Sequence, residues 1–188
     1  MLNLNSLYAG AVDEARKRLC DGINNVLDIN KKARRKDERM SLGYSNANWD
    51  QVQKFFSVVQ GKLQATVEGI PQDRLNALHQ YLSFATNSFG SITEGREIRR
   101  LHFIAPIVIS VCSFFNGDVK ILTEEEIESN LLHAHCRFEF VLKRRDKRIC
   151  IAEGDFLQER TRCMIGCESL CDVEGLAVSY DIATDYIS

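Results

Sequence analysis

Proline is almost absent, with two residues in 188, and glycine supplies only eleven. Such a chain is not collagenous, and with 45% hydrophobic and 27% charged residues it is neither disordered nor low in complexity. A surplus of one charge is missing as well: 24 Lys+Arg stand against 26 Asp+Glu, a formal net charge of −2. That balance excludes nucleic-acid binding by bulk positive charge, so any such contact has to come from a local basic patch. No apolar run reaches the roughly 20 residues of a transmembrane helix. The longest, Leu101 to Phe115, includes His102 and Pro106 and reads as a buried core helix, so no membrane contact is expected. The N-terminus, MLNLNSLYAGAVDEARKRL, lacks the basic-then-apolar order of a signal peptide. A Gly-rich phosphate loop, a nucleophile elbow and an H-E-x-x-H pair are also missing.

Cysteine, by contrast, is plentiful. The seven residues (20, 112, 136, 150, 163, 167 and 171) are odd in number and mostly embedded in apolar runs. A disulfide framework is not expected, and the pattern suits a folded protein in a reducing compartment. Cys163, Cys167 and Cys171 recur every fourth residue and so line one helix face. Zinc would need a fourth ligand from elsewhere, and the usual C-x2-C spacing is lacking, so core packing as small hydrophobes is the favoured reading. His133, His135 and Cys136 read as a surface connection before a hairpin rather than a metal site.

The length fits one domain, or one domain with a smaller companion. In the first half Ala15, Leu19, Ile23 and Val26 or Leu27 recur every three or four residues, as on one helix face. Asn48 or Ser45 can cap a second helix with Trp49, Val52, Phe55 or Phe56, Val59 and Leu63 on its inner side. A third has Leu75, Leu78 and Leu82 as its stripe, and Asn87 to Ser91 is the expected loop to the second half. There, Glu94 to Phe115 reads as helix and Val119 to Leu122 as strand. Arg137–Lys143 and Arg148–Glu153 are strands about a charged turn, apolar on both faces and hence central in a sheet. Phe156 to Cys171 has helical spacing, and Leu176, Val178, Tyr180 and Ile182 alternate like a last strand. The expected fold is α/β: residues 1–88 a helical region, residues 89–188 a mixed sheet of about four strands flanked by helices.

The hairpin decides where the carboxylates fall. A three-residue loop, Arg145 to Lys147, sets Glu139 opposite Glu153 and Val141 opposite Ile151; Asp155 then joins the same face if the strand persists. Three converging carboxylates need a proton or a hard divalent cation such as Mg²⁺ to neutralise them. A two-residue loop slips the register, sets Glu139 against Ala152 and disperses the cluster. The plainer alternative makes Glu139 an edge residue paired with Arg or Lys.

The stretches TEGREIRRLHFIAPIVISVCSFFNGDVKIL, RFEFVLKRRDKRICIAEGDF and CMIGCESLCDVEGLAVSYDIATDYI resemble the C-terminal nuclease-like domain of Crinkler effectors, proteins of oomycetes such as Phytophthora and of some fungi. The resemblance covers Ile92 to Ser188 and is most specific in the FEFVLKR…KRICI hairpin and the IGCE…DVEGL run. It implies a restriction-endonuclease-like PD-(D/E)XK fold and metal-dependent phosphodiester chemistry. On that resemblance Glu94 matches the acid of the first helix, Glu139 that of the second strand, Glu153 the first acid of the E-x-K motif, and Gln158 a helix glutamine near the site. The lysine is absent. Where similar sequences read E-A-K-K, this one reads Glu153-Gly154-Asp155-Phe156, and aspartate there repels phosphate where lysine would attract it. Lys143 and Lys147 sit at the far end of the hairpin. The resemblance therefore implies a degenerate nuclease that acts by binding and needs no cofactor. The alternative is an active nuclease holding Mg²⁺ on Glu139, Glu153 and Asp155.

Two further features bear on partners. Lys31, Lys32, Arg34, Arg35 and Lys36 form a basic run that suits nuclear import or phosphate contact, with Arg144 and Arg145 as a second basic site; the plainer reading is a solvated helix end. The amphipathic residues 1–40 either join a second chain, making a homo-oligomer, or pack on the helices of their own chain. The resemblance implies a secreted virulence effector acting in host plant cells, in the nucleus, which alters cell death and immunity through host proteins and, in one reading, DNA or RNA. A dimerisation or scaffold module without nucleic-acid affinity is the third class. These 188 residues are expected to be the working end of a longer protein.

Overall fold

The computed structural model describes residues 4–34, 47–56, 69–91, 97–133, 135–153 and 156–183. Helix α1 spans Leu4–Arg34, and the short α2, Trp49–Val52, runs into a 3-10 turn at Gln53–Phe55. Then come α3 (Gln72–Phe89), α4 (Glu97–Ser113), β1 (Val119–Glu128), β2 (His135–Arg144), β3 (Lys147–Glu153), α5 (Phe156–Glu174) and β4 (Tyr180–Ala183). The sheet order is β1-β2-β3-β4. Neighbours β1, β2 and β3 are antiparallel, whereas β4 lies parallel to β3 and is reached through α5. A parallel neighbour requires such a crossover. The α/β class and the four-stranded mixed sheet are as the sequence implies.

Both faces of the sheet are covered. On one, Phe138, Val141 and Ile151 pack with Ile127, with Ile165 and Leu170 of α5, and with Cys20, Ile23 and Leu27 of α1. On the other, Phe140, Leu142, Cys150 and Ala152 meet Ile104, Val108 and Cys112 of α4. Residues two apart on a strand share a face, yet Phe138 and Phe140 serve opposite cores. The alternation breaks at Glu139, and the β1 residue between the partners of Phe138 and Phe140 is Glu124, held at φ 54. The strand thereby feeds the α5 side first and both sides afterwards.

Boundaries differ from the sequence pattern where side-chain type misleads. Strand β1 continues past Leu122 through Glu128, because an exposed edge tolerates the acidic residues that usually argue against a strand. Helix α3 runs through Asn87 to Phe89 and stops at Gly90, whose φ of 78 suits glycine. The last strand begins at Tyr180 rather than Leu176. Of the two expected caps for α2, Asn48 performs the role: its side chain accepts from the Gln51 N–H, and Gln51 accepts from the Asn48 N–H in return. Val59, Leu63 and Ser45 lie outside the described residues.

The buried side chains of α1 pack on their own chain. Buried Asn24 donates to the Leu131 carbonyl at 2.7 Å and accepts from the His133 N–H at 2.8 Å, pinning the β1–β2 connection to the helix. Asp172 of α5 holds the same connection by accepting from the Ser129 hydroxyl and the Asn130 N–H. Arg16 reaches α5 at Glu168, 3.6 Å away, and donates to the Leu176 carbonyl.

Candidate functional site

The β2–β3 hairpin combines the two registers that the sequence allows. Arg144 pairs with Lys147 across a two-residue turn, Arg145-Asp146, in which Arg145 takes φ 54. A bulge between Leu142 and Lys143 then shifts the pairing by one, giving Val141 opposite Ile151 and Phe140 opposite Ala152. Continued by one pair, this brings Glu139 level with Glu153. The contact there runs from backbone to side chain, the Glu139 N–H donating to the Glu153 carboxylate at 3.2 Å.

Glu153 is 1% exposed. A carboxylate that deep is tolerated only with a counter-charge and hydrogen bonds. Arg162, from the second turn of α5, supplies the charge: its guanidinium lies 3.5 Å from the Glu153 carboxylate. The same group donates to the Cys136 sulfur and to the Arg137 carbonyl, and stands 5.4 Å from the centre of the Phe138 ring. Four contacts thus fix one guanidinium against β2 and β3. Its inward position follows from spacing, since Ile165, Gly166 and Ser169 continue the same buried stripe. A charged residue three and four places before buried ones is a readable signal of a buried counter-ion, and sequence reasoning passed it by.

Of the other expected acids, Glu94 and Asp155 lie outside the described residues, and Gln158 falls in the first turn of α5 with its side chain outside them. Among the described residues no three or more His, Cys, Asp or Glu side chains converge as a metal site. With a guanidinium already beside the buried carboxylate, the described donor set does not fit Mg²⁺. Lys143 and Lys147 lie at the turn, away from Glu153, as their positions in the hairpin require.

The basic candidates separate into two groups. Lys31, Lys32 and Arg34 occupy the last turn of α1, while Arg35 and Lys36 lie outside the described residues. At the hairpin, Arg144 is 2.7 Å and Arg145 4.0 Å from Asp118, Arg148 meets Glu125 and Glu174, and Lys147 donates to the Glu174 carbonyl. This charge is answered within the chain. His133 faces Asp28 at 4.0 Å and His135 faces Glu126 at 3.5 Å, both near the surface. Cys163 and Cys171 are buried and Cys167 half-buried. Burial pushes the Cys20, Cys150 and Cys167 thiols up to about 12, so these sulfurs stay protonated and inert at neutral pH. Burial also raises the Glu168 carboxyl against the opposing pull of Arg16.

A second feature is a groove of about 760 Å³ between α3 and α4, floored in part by Phe140. Its signal in the sequence is the lack of any Asp, Glu, Lys or Arg from Leu75 to Phe89 and from Leu101 to Ser113.

Among known proteins, the chain is 34% identical over 176 residues to Crinkler effector protein 5 of Phytophthora infestans. The aligned region takes in 92% of this chain and 50% of that protein, so the chain spans half the length of the curated relative it matches. No protein-family model and no solved structure matches. The identity extends through the N-terminal helices as well as the sheet, beyond the stretch from Ile92 that carried the motifs. On that shared sequence along nearly its whole length, the chain belongs to the Crinkler effectors.

Proposed function

We propose that this chain is the part of a secreted pathogen effector that works inside host plant cells, altering cell death and immunity by binding rather than by cleavage. The observation that carries the reading is Arg162. In a metal-dependent phosphodiesterase, the acid of β3 faces a divalent cation and a nearby lysine faces the phosphate. Here the buried Glu153 faces a fixed guanidinium 3.5 Å away, and the next acidic position, Asp155, repels a phosphate. The restriction-endonuclease ancestry rests on the motif resemblance, and the nuclear site of action on the basic run from Lys31 to Lys36. Host proteins are the principal partners in this reading, and nucleic acid is bound through that basic run.

Incubation of the purified chain with DNA and RNA in Mg²⁺ or Mn²⁺ tests it. The expected outcome is no turnover, with DNA binding that weakens steeply as salt rises. Cleavage that Glu153→Ala abolishes overturns the proposal in favour of the nuclease. DNA affinity that is absent at low salt removes the nucleic-acid arm and leaves protein binding alone.

A further inference from the structure

The connection from α4 to β1 closes on four residues, Phe115-Asn116-Gly117-Asp118. The Asp118 N–H donates to the Phe115 carbonyl at 2.8 Å, and both central residues have positive φ, 50 at Asn116 and 84 at Gly117. That is a type I′ turn, whose two left-handed positions favour asparagine followed by glycine. The requirement has a chemical consequence, because Asn-Gly is also the dipeptide in which a chain most readily attacks itself. Glycine has no side chain to shield its nitrogen from the carboxamide that precedes it. Asn116 is the one asparagine of this chain that is followed by glycine.

The surroundings leave the reacting atoms free. Asn116 and Gly117 are both exposed, and a Cβ placed on Gly117 would meet nothing within 4 Å. Backbone donors on either side are engaged, the Asn116 N–H with the Ser113 carbonyl and the Asp118 N–H with that of Phe115. The Gly117 N–H, at the third position of the turn, has no acceptor among the described residues. The Asn116 carboxamide has no partner among them either. Other asparagine side chains are held: Asn24 by the β1–β2 connection, Asn30 and Asn48 by Gln51, and Asn76 by Gln72. A bonded carboxamide must give up its contacts before its carbon can be attacked.

We propose that Asn116 is a site of self-modification, where the turn converts its own carboxamide into a carboxylate with water as the only co-reactant. The Gly117 nitrogen, after losing its proton to solvent base, attacks the Asn116 Cγ. A Cγ–N bond forms, the Cγ–Nδ2 bond breaks, and Nδ2 takes up a proton and leaves as ammonia, giving a five-membered imide. Water then adds to either ring carbonyl. Opening at Cγ yields aspartate; opening at the Asn116 backbone carbonyl yields isoaspartate, with the main chain routed through the side chain. In either product ammonia is lost, water is gained, and the formal charge moves from −2 to −3.

The two products differ in what they do to the hairpin. Asp118 lies 2.7 Å from the Arg144 guanidinium and 4.0 Å from that of Arg145. Aspartate keeps the four-residue turn that holds Asp118 there. Isoaspartate adds one main-chain atom between Phe115 and Asp118, which opens the turn's hydrogen bond and carries Asp118 away from Arg144. The modification needs neither a partner nor a metal, so it stands or falls apart from the binding reading above.

The test is to incubate the whole folded chain at neutral pH in heavy-oxygen water, digest it in ordinary water and weigh the peptides. The peptide that contains Asn116 should gain three mass units, against one after incubation in ordinary water. Its conversion should be at least about tenfold faster than that of any other asparagine. Two isomers are expected, one matching the same peptide from Asn116→Asp and the other accepting a methyl group from an isoaspartyl methyltransferase. In Asn116→Gln, where the imide would need a six-membered ring, the gain should be lost while the circular dichroism spectrum stays unchanged. Hydrogen exchange at the Asp118 N–H should be faster in the isoaspartyl fraction than in Asn116→Asp, and equal exchange overturns the opening of the turn. Conversion confined to the urea-unfolded chain overturns the proposal, since the fold then protects the dipeptide. So does earlier conversion at another asparagine, or an aspartate product without isoaspartate, which marks direct hydrolysis in place of the imide.

Discussion

Glu153 and Arg162 form a pair in which neither partner is dispensable alone. The carboxylate is 1% exposed, accepts from a backbone N–H and faces a guanidinium 3.5 Å away. Removing only the cation leaves a buried charge without compensation, which costs about 3–5 kcal/mol, whereas replacing both charges with groups of similar size is often close to neutral. Arg162→Met should therefore lower the urea midpoint sharply, and Glu153→Gln in the same chain should restore most of the loss. Equal destabilisation by the single and the double variant would mean that Arg162 acts only by packing on Phe138. At this scale the sequence was half legible. The strand pattern brought Glu139 and Glu153 level, but through a tight turn plus a bulge, a combination that spacing alone does not choose between. Arg162 stayed hidden because an arginine in the run Glu159-Arg160-Thr161-Arg162 looks like a solvated face until the buried residues that follow it are counted in helical steps.

Helix α5 lies against β2 and β3 at a distance set by Gly166. A Cβ at that position would overlap the Phe138 ring and meet the Ile151 Cδ1 at 2.9 Å. Neither neighbour can yield easily, since Phe138 and Ile151 are both fully buried. Gly166→Ala should cost about 1–3 kcal/mol through overpacking despite the gain in helix propensity. The change at Gly22, where a Cβ would meet only the half-buried Phe55 ring, should cost less, because that ring can move. Urea midpoints of the two variants check the order, and a larger loss at Gly22 would contradict it. Elements with strong periodicity, α1 and the β2–β3 hairpin among them, were legible in the sequence. Strand β1 was not beyond Leu122, because its Glu-rich half lies on an exposed edge where Ile127 alone is buried, too sparse a pattern to mark a strand. In α3 the leucine stripe was visible, but its burial was not: Leu78 and Leu82 are half-buried and Leu75 is exposed, so the stripe does not form a core, and only Leu78 of it lines the open groove.

Across the whole molecule, α1 and α2 share one apolar core with the sheet and α5. Cys20, Ile23, Leu27 and Val52 interlock there with Ile127, Phe138, Ile151 and Leu170. Asn24 ties α1 to the β1–β2 connection and Asp172 ties that connection to α5, so the first helix and the sheet stabilise each other's loops. Elements that share a core and buried hydrogen bonds unfold together. The single tryptophan reports on the joint: Trp49 in α2 lies under the Arg160 guanidinium of α5, 3.9 Å from the ring centre, and stacks on Phe56 at 6.4 Å. Its fluorescence therefore follows the docking of α2 onto α5, while far-UV circular dichroism follows helix and sheet throughout the chain. Urea unfolding watched by the two signals should give one coincident transition. Arg160→Ala should change the native fluorescence without separating the curves, because it removes a half-buried contact and leaves the core in place. A fluorescence transition that precedes the circular dichroism transition would instead make the N-terminal helices a separable unit, carried on a sheet that folds without them.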